Sequence, residues 1–304
     1  MLPSRITRVK APPIKCQGIK TKLVPLIGAA VRWAGEGKWV EPFLGSGVVA
    51  FNLAPDRALL ADTNQHLIRF FQGVQSGSIT PTHTREFLER EGNILQERGE
   101  DHYYAIRERF NAEAYPLDFL FLNRSCFNGL MRFNLKGGFN VPFCRKPDRF
   151  RPAYVTKIVN QVKWLQRRMR GRDWTFKVAD WRDTLKEVAP EDFVYLDPPY
   201  VGRHTDYYNQ WSDEDASSLA LSVTELPSGF AYSMWKENRF RANPHLDEYF
   251  ADFPVVTKAH FYHVGSSEDL RHAMEEALVI SHGNVVHRDD REELLATPQT
   301  ELAL

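Results

Sequence analysis

At 304 residues, with 39 basic and 39 acidic side chains, the chain has room for one large α/β domain with an insertion, or for two modest domains. No apolar stretch approaches a membrane span and the N-terminus lacks a signal-type apolar region, so neither a membrane-spanning nor a secreted chain is expected. Cys16, Cys126 and Cys144 fit neither a disulfide framework nor a zinc pattern, so a reducing cytoplasmic setting and no metal site are expected. The balanced charge conceals a gradient. Between residues 120 and 178 the only acids are Asp148 and Asp173, while basic residues recur from Arg124 through Arg145, Lys146, Arg149 and Arg151 to Arg172. A basic middle between acidic ends is the footprint of a phosphate-contacting surface, although an ordinary solvated face can carry the same charge.

Along the chain, residues Lys22 to Trp33 have apolar positions at helical spacing. Trp39 to Phe43 reads as a strand entering the glycine turn Gly45-Ser46-Gly47; Val48 to Leu53 is helical again, and Ala58 to Asp62 is a second strand ending in an acid. Strand, glycine turn, helix, strand and acid form the opening of a nucleotide-binding α/β unit. From Gln65 to about Leu122 the pattern is helical, with a polar loop at Gly77 to Thr84 and a charged stretch from Glu86 to Asp101. Phe133 to Val141 alternates around Lys136-Gly137-Gly138 and predicts a β-hairpin. A helix comes next from Tyr154 to about Arg168, then strands at Thr175 to Val178, Phe193 to Leu196, Gly229 to Ser233, Val255 to Phe261 and Ala277 to Ser281, and a frayed tail over the last dozen residues.

Chemistry concentrates at Asp197-Pro198-Pro199-Tyr200, directly after the apolar run Phe193 to Leu196. A buried parallel strand delivers the residues after it to the carboxyl edge of a sheet, where α/β folds place ligands. The prolines have no N–H and leave carbonyls free to accept, so Asp197 and Pro198 can grip an amine on a flat ring while Tyr200 stacks on that ring. The plain alternative is a strand ending in a turn. Gly45 and Gly47 let backbone pass under a ligand, and Asp62 stands where an acid takes both hydroxyls of a ribose; Asp62-Thr63-Asn64 can equally cap a helix.

Taken in order, these segments resemble the Dam-type (D12 class, alpha group) DNA adenine-N6 methyltransferases. The resemblance runs from Ile14 to about Ser281. It rests on Pro42 to Gly47, Ala61 to Asn64, the stretch Asn123-Arg124-Ser125-Cys126-Phe127-Asn128-Gly129-Leu130-Met131-Arg132-Phe133-Asn134, Phe139 to Phe143, Asp180-Trp181 and Asp197 to Tyr200. It implies a Rossmann-like methyltransferase sheet that binds S-adenosyl-L-methionine, built from residues 1–70 and 172–304. A mainly helical target-recognition domain carrying a β-hairpin would occupy residues 71–171. Glu41, Pro42, Phe43, Gly45, Gly47 and Asp62 would hold the methionine and ribose portions, Asp180 and Trp181 would border the cofactor's adenine, and Lys20 would lie beside cofactor and target base. The family commonly has a tryptophan near that lysine, where this chain has Cys16.

Asp197, Pro198 and Tyr200 are the expected catalytic residues, acting on N6 of an adenine flipped out of duplex DNA, since a stacked adenine cannot reach such a pocket. Asn123, Arg124, Asn128, Arg132, Asn134 and Lys136 are the expected DNA contacts, of types that pair with base edges or phosphates; Asn and Arg beside glycine also stabilise turns. Alternatives in the same pocket are methylation of an RNA base or a protein amide, and a catalytically silent DNA-binding subunit is a third. The expected partner is double-stranded DNA, with the chain, bacterial or phage-encoded, acting as a monomer in the cytoplasm and associated with the nucleoid. A restriction endonuclease partner, a phage role and a stand-alone role are all open, and the target sequence is not readable.

Overall fold

The computed structural model describes residues 2, 3, 6–200, 211–238, 241–261 and 273–286. Its strands are β1 (Trp39–Glu41), β2 (Arg57–Asp62), β3 (Asp173–Val178), β4 (Phe193–Leu196), β5 (Gly229–Asn238), the two-residue β6 (Arg241–Ala242), β7 (Val255–Phe261) and β8 (Ala273–Ile280). They form one sheet in the order β3-β2-β1-β4-β5-β8-β7, with β6 folded back on β5. The first five pair in parallel, while β8 runs antiparallel to both β5 and β7. Every residue of β1 and β4 is buried, as expected of parallel strands covered on both faces. The chain leaves β1 toward β2 on one side, and β4 fills the other side. That is a topological switch point, and ligands of open α/β sheets bind at the carboxyl ends of such strands.

The helices are α1 (Val24–Ala30), α2 (Val48–Leu53), α3 (Gln65–Ser76), α4 (Pro81–Arg98), α5 (Glu100–Glu113), α6 (Pro116–Ser125), α7 (Pro152–Met169), α8 (Trp181–Leu185), α9 (Asp213–Thr224) and α10 (Pro244–Tyr249). The long helical reading from Gln65 onward resolves into four helices. Breaks fall at Gly77, at Gly99, and at Ala114, whose φ of 53° lies just before Pro116. The expected loop at Gly77 to Thr84 shrinks, because Thr80 caps α4 and Pro81 opens it. Residue 71 falls inside α3, whose Phe71 packs on Phe51 of α2 and Phe176 of β3 while its His66 meets Phe110 of α5 and Phe119 of α6. Helix α7 buries Val155, Ile158, Val159, Val162, Leu165 and Met169, one face at helical spacing, and lies against α4. Helices α8, α9 and α10 have no counterpart in the sequence reading, and the expected tail lies outside the described residues.

Helix α6 is buried from Leu117 through Ser125, polar side chains included. Asp118 has no exposed surface and receives two bonds from Arg109, at 2.8 Å from Nε and 2.5 Å from Nη2; the same Nη2 reaches the buried Glu91 at 3.3 Å. Burial raises the Asp118 carboxyl and the Arg109 guanidinium opposes that rise. Removing one member of a buried ion pair strands the other, so Arg109→Ala should cost about 3 kcal/mol of stability. The check is a lower denaturant midpoint at unchanged slope.

Candidate active site

Four strand ends meet at one cavity of about 290 Å³. From β1 come Glu41, Pro42, Phe43 and the turn through Gly45; from β2, Asp62; beyond β3, Asp180 and Trp181; from β4, Asp197 and Pro199. Lys20 and Cys16 close it from the N-terminal segment. Residues predicted from widely separated parts of the sequence therefore share one wall-to-wall space.

Asp62 does not cap the helix after it. Asn64 does, its side-chain oxygen accepting from the N–H groups of His66 and Leu67. The Asp62 carboxylate accepts instead from the N–H of Gly45 and of Asn64, each at 2.9 Å, and so fastens the glycine turn to the end of β2. Burial raises its carboxyl, and those two backbone donors hold the rise back. Gly45 (φ 49°) and Gly47 (φ 69°) are both left-handed. Gly47 is not in the cavity wall; a Cβ there would lie 2.2 Å from the Phe51 ring, so its glycine serves packing of α2. Glu41 is buried with Oε1 accepting from the Trp39 indole at 2.7 Å, and desolvation pushes its carboxyl up to about 8. Asp180 caps α8 through the N–H of Arg182.

At the β4 end of the cavity, the Lys20 ammonium lies 3.1 Å from Asp197 Oδ1, 3.8 Å from Glu276 Oε1 and 4.6 Å from the centre of the Tyr200 ring. Burial pushes the Asp197 carboxyl up to about 6; Lys20 opposes the rise and Glu276 adds to it. Pro198 and Tyr200 line a second cavity of about 180 Å³ on the other side of the tetrapeptide, with Tyr232, Trp235 and His245. Pro199 and Trp211 belong to both cavities. Burial and the anionic neighbours Asp62 and Asp197 push the Cys16 thiol well up, so it is not an activated nucleophile.

The sequence reading missed Trp211, Arg182, Asp215 and Glu276. Trp211 meets Phe43 edge-on at 5.6 Å, and Arg182 joins Asp180 to Asp215 across the cavity rim. One signal for this side was present: Ser212 and Asp215 form a capping box that starts α9. Glu276, on an apolar strand, carried no motif.

The expected DNA contacts divide. Asn123 is fully buried: its amide accepts from the N–H of Lys15 at 2.8 Å and donates to the carbonyl of Lys15 at 2.9 Å. Asn52 holds Lys10 the same way, with both bonds at 2.9 Å. These amides pin an N-terminal strap that runs on to Lys20. Arg124, 4% exposed, donates to Gln161 and lies over the Tyr154 ring. Both side chains are enclosed, because α6 is buried from Leu117 through Ser125. Asn134 shapes the hairpin turn by accepting from the N–H of Lys136 and of Gly138, each at 2.9 Å. The hairpin itself is minimal, a single Phe133–Phe139 bridge, with Phe133 lying flat on His66 of α3 at 5.3 Å. Arg132 is braced by Asn140 at 2.8 Å. Lys136 and Asn128 are exposed, the latter at φ 52°, and the apolar Phe127 and Leu135 are exposed near them.

A doubly covered sheet with a carboxylate and two prolines at its switch point is the architecture of an α/β protein that binds its ligand at the strand ends. Known proteins identify the kind. The D12 class N6 adenine-specific DNA methyltransferase family matches residues 17–264. A DNA adenine methylase from Serratia marcescens is 35% identical over 199 residues, 62% of this chain and 68% of that protein. The type II methyltransferase M1.LlaDCHI of Lactococcus lactis subsp. cremoris is 25% identical over 258 residues, 80% of this chain and 86% of that one. M.MjaIII of Methanocaldococcus jannaschii, also a type II methyltransferase, is 31% identical over 212 residues, 62% and 69% of the two chains. The chain belongs to the D12 class of N6 adenine-specific DNA methyltransferases, and its activity is methylation of adenine in DNA.

Proposed function

We propose that the large cavity takes S-adenosyl-L-methionine and that Asp197, Pro198 and Tyr200 receive an adenine flipped out of duplex DNA. The observation that carries this reading is the single cavity shared by the glycine turn, Asp62 and Asp197. The lining suits a nucleoside with a charged tail. Asp62 can accept from ribose hydroxyls, Phe43, Trp181 and Trp211 are aromatic walls, and the buried indole N–H groups of Trp181 and Trp211 have no hydrogen-bond partner among the described residues. When bound, that cofactor supplies an electrophilic methyl group on a sulfonium.

The chain's own residues then do the rest. Asp197 accepts an N–H of the adenine amine and, with the Pro198 carbonyl, draws the nitrogen lone pair out of conjugation with the ring. Lys20 favours the ionised form of Asp197, which can take the proton that the methylated amine releases. Tyr200 carries Lys20 over one ring face, so the other face is the one offered to a base. Alignment supplies much of the remaining rate. The test is to sequence DNA from a methylation-free host expressing the chain, with detection of N6-methyladenine. Absence of the mark at every motif, from folded protein, would reject the reading.

We assign DNA contact to the exposed hairpin face: Lys136, Arg132, Asn128, Phe127 and Leu135, with Arg145 and Lys146 beside it. Residues from about 77 to 171 form the target-recognition domain on this reading, α3 remaining with the sheet. Lys136→Ala should weaken binding to all sequences alike and flatten the salt dependence by about one unit of slope. Arg124→Ala, by contrast, should cost about 2 kcal/mol of stability through lost packing and leave the methylated motif unchanged. A methylome beside a melting curve distinguishes the two. The type II names among the relatives support a cognate endonuclease, which would fail to cut DNA from cells expressing the chain. A monomer working in the cytoplasm completes the proposal; among the described residues no helix is long and apolar enough to cross a membrane.

A further inference from the structure

Between Asp148 and Asp173 the chain has no acid and eight basic residues. Helix α7 fills most of that stretch. One of its faces is buried against α4, and the opposite face exposes Lys157, Lys163 and Arg167, with Arg170 at the C-cap. The last three follow at intervals of four and three, which stacks like charges on neighbouring turns and weakens the free helix. The N-terminal strap adds to this face. Gln161 donates to the Ala11 carbonyl at 3.0 Å, and Arg8 and Lys10, just before Ala11, are exposed. None of these six cations forms an ion pair among the described residues. Elsewhere on the surface cations are matched, as Arg85 is to Glu89, Lys177 to Glu187 and Lys186 to Asp183. Along the seam with α4, Glu89 is taken by Arg85, which also reaches Thr156 of α7 at 3.4 Å.

We propose that the exposed face of α7, with Arg8 and Lys10 of the strap, is a second surface for duplex DNA, one that holds phosphates outside the methylated site without reading sequence. Its place in the fold separates it from the target. Strand β3 begins at Asp173, four residues after α7 ends, and runs parallel to β2 toward the cavity end of the sheet. Helix α7 therefore descends from the insert to the sheet edge away from the cavity. Its 18 residues span about 27 Å, the length of roughly eight base pairs. Stacked cations without acids suit a regular polyanion, and the methylation activity already brings duplex DNA to this molecule. Unpaired strands and protein partners are held largely by aromatic side chains. This face offers none: Trp164 is buried, and Tyr154 lies beneath Arg124 and Arg149. The inference rests on the hairpin reading above only for where the target site lies.

The experiment follows affinity against salt by fluorescence anisotropy, on the full chain with two duplexes. One has about 12 base pairs and carries the motif found in the methylome; the other has about 40 and lacks it. Replacing three cations together, Lys157→Gln, Lys163→Gln and Arg167→Gln, should flatten the slope of log K against log salt on the long duplex by about two to three units. The short duplex should bind within about twofold of wild type and be methylated at the wild-type single-turnover rate. Glutamine is a good helix former and relieves the stacked charge, so the DNA-free melting temperature should not fall. If the triple variant does not fold, Lys163→Gln alone should flatten the slope by about one unit. An unchanged slope on the long duplex overturns the inference. Equal losses on both duplexes also overturn it, since the face would then belong to the target site. So does a variant that keeps duplex binding and loses single-stranded RNA. Lys136→Ala tests the hairpin reading separately, because it should flatten the slope on the short duplex, where the triple variant should not.

Discussion

Asp197→Ala should slow methyl transfer by at least about 100-fold, the scale of losing one preorganised polar group in a dry site. Cofactor binding should stay within a few-fold of wild type. The substitution removes the acceptor for the target amine but leaves Lys20 its second partner, Glu276, so no buried ammonium is stranded and the cavity wall persists. Single-turnover kinetics beside calorimetry checks both halves; a loss under tenfold, about 1.4 kcal/mol of barrier, removes the assigned role. The pH dependence has a definite sign. The carboxyl sits at about 6 because burial disfavours its charged form. The ionised form is the stronger acceptor and the one able to take the released proton, so kcat/KM should fall as pH drops through about 6 and level off above it. Lys20 lowers that value, so Lys20→Met should move the limb to higher pH.

The second large effect is expected at Asp62. Its carboxylate fastens the Gly45 turn and, on the proposed reading, takes the ribose hydroxyls. Loss of charged hydrogen bonds of this kind costs about 2–4 kcal/mol, so Asp62→Ala should raise the cofactor's dissociation constant roughly 30- to 1,000-fold. Binding of the free protein to DNA should hardly change. Asp62→Asn, which retains one acceptor oxygen for the turn, separates the two contributions: partial recovery assigns that share to the turn. Unchanged affinity in Asp62→Ala would leave the residue a turn fastener only.

The sheet was legible in the sequence because parallel strands buried on both faces must be apolar throughout, as at Phe193–Leu196, and the residues ending them must meet at the switch point. Asp62 and Asp197 were singled out for that reason and Asp180 through the resemblance, and the structure brings all three to one cavity. The DNA-contact residues were harder. Polarity along a sequence says nothing about which way a helix faces, and α6 buries Asn123 and Arg124 directly after the run Leu117 to Leu122, apolar except for Asp118. That run was itself the signal that both side chains are enclosed. Asn134 beside Gly137 proved to be a turn former, as residues of its type often are. Glu276 was invisible because its partner, Lys20, lies at the opposite end of the chain, and no local pattern records such a pairing.

The N-terminal strap bears on how the molecule assembles. Lys10 is held by α2, Lys15 by α6, and Lys20 by Asp197 at the end of β4 and Glu276 within β8, across sequence separations of 42 and 108 residues for the first two. Each docking site exists only after distant parts of the chain have packed, and closing such long loops costs entropy before any contact returns it. The residues synthesised first are thus seated last. Refolding should show sheet and helices forming ahead of a slower step in which the strap arrives and the large cavity gains its final wall.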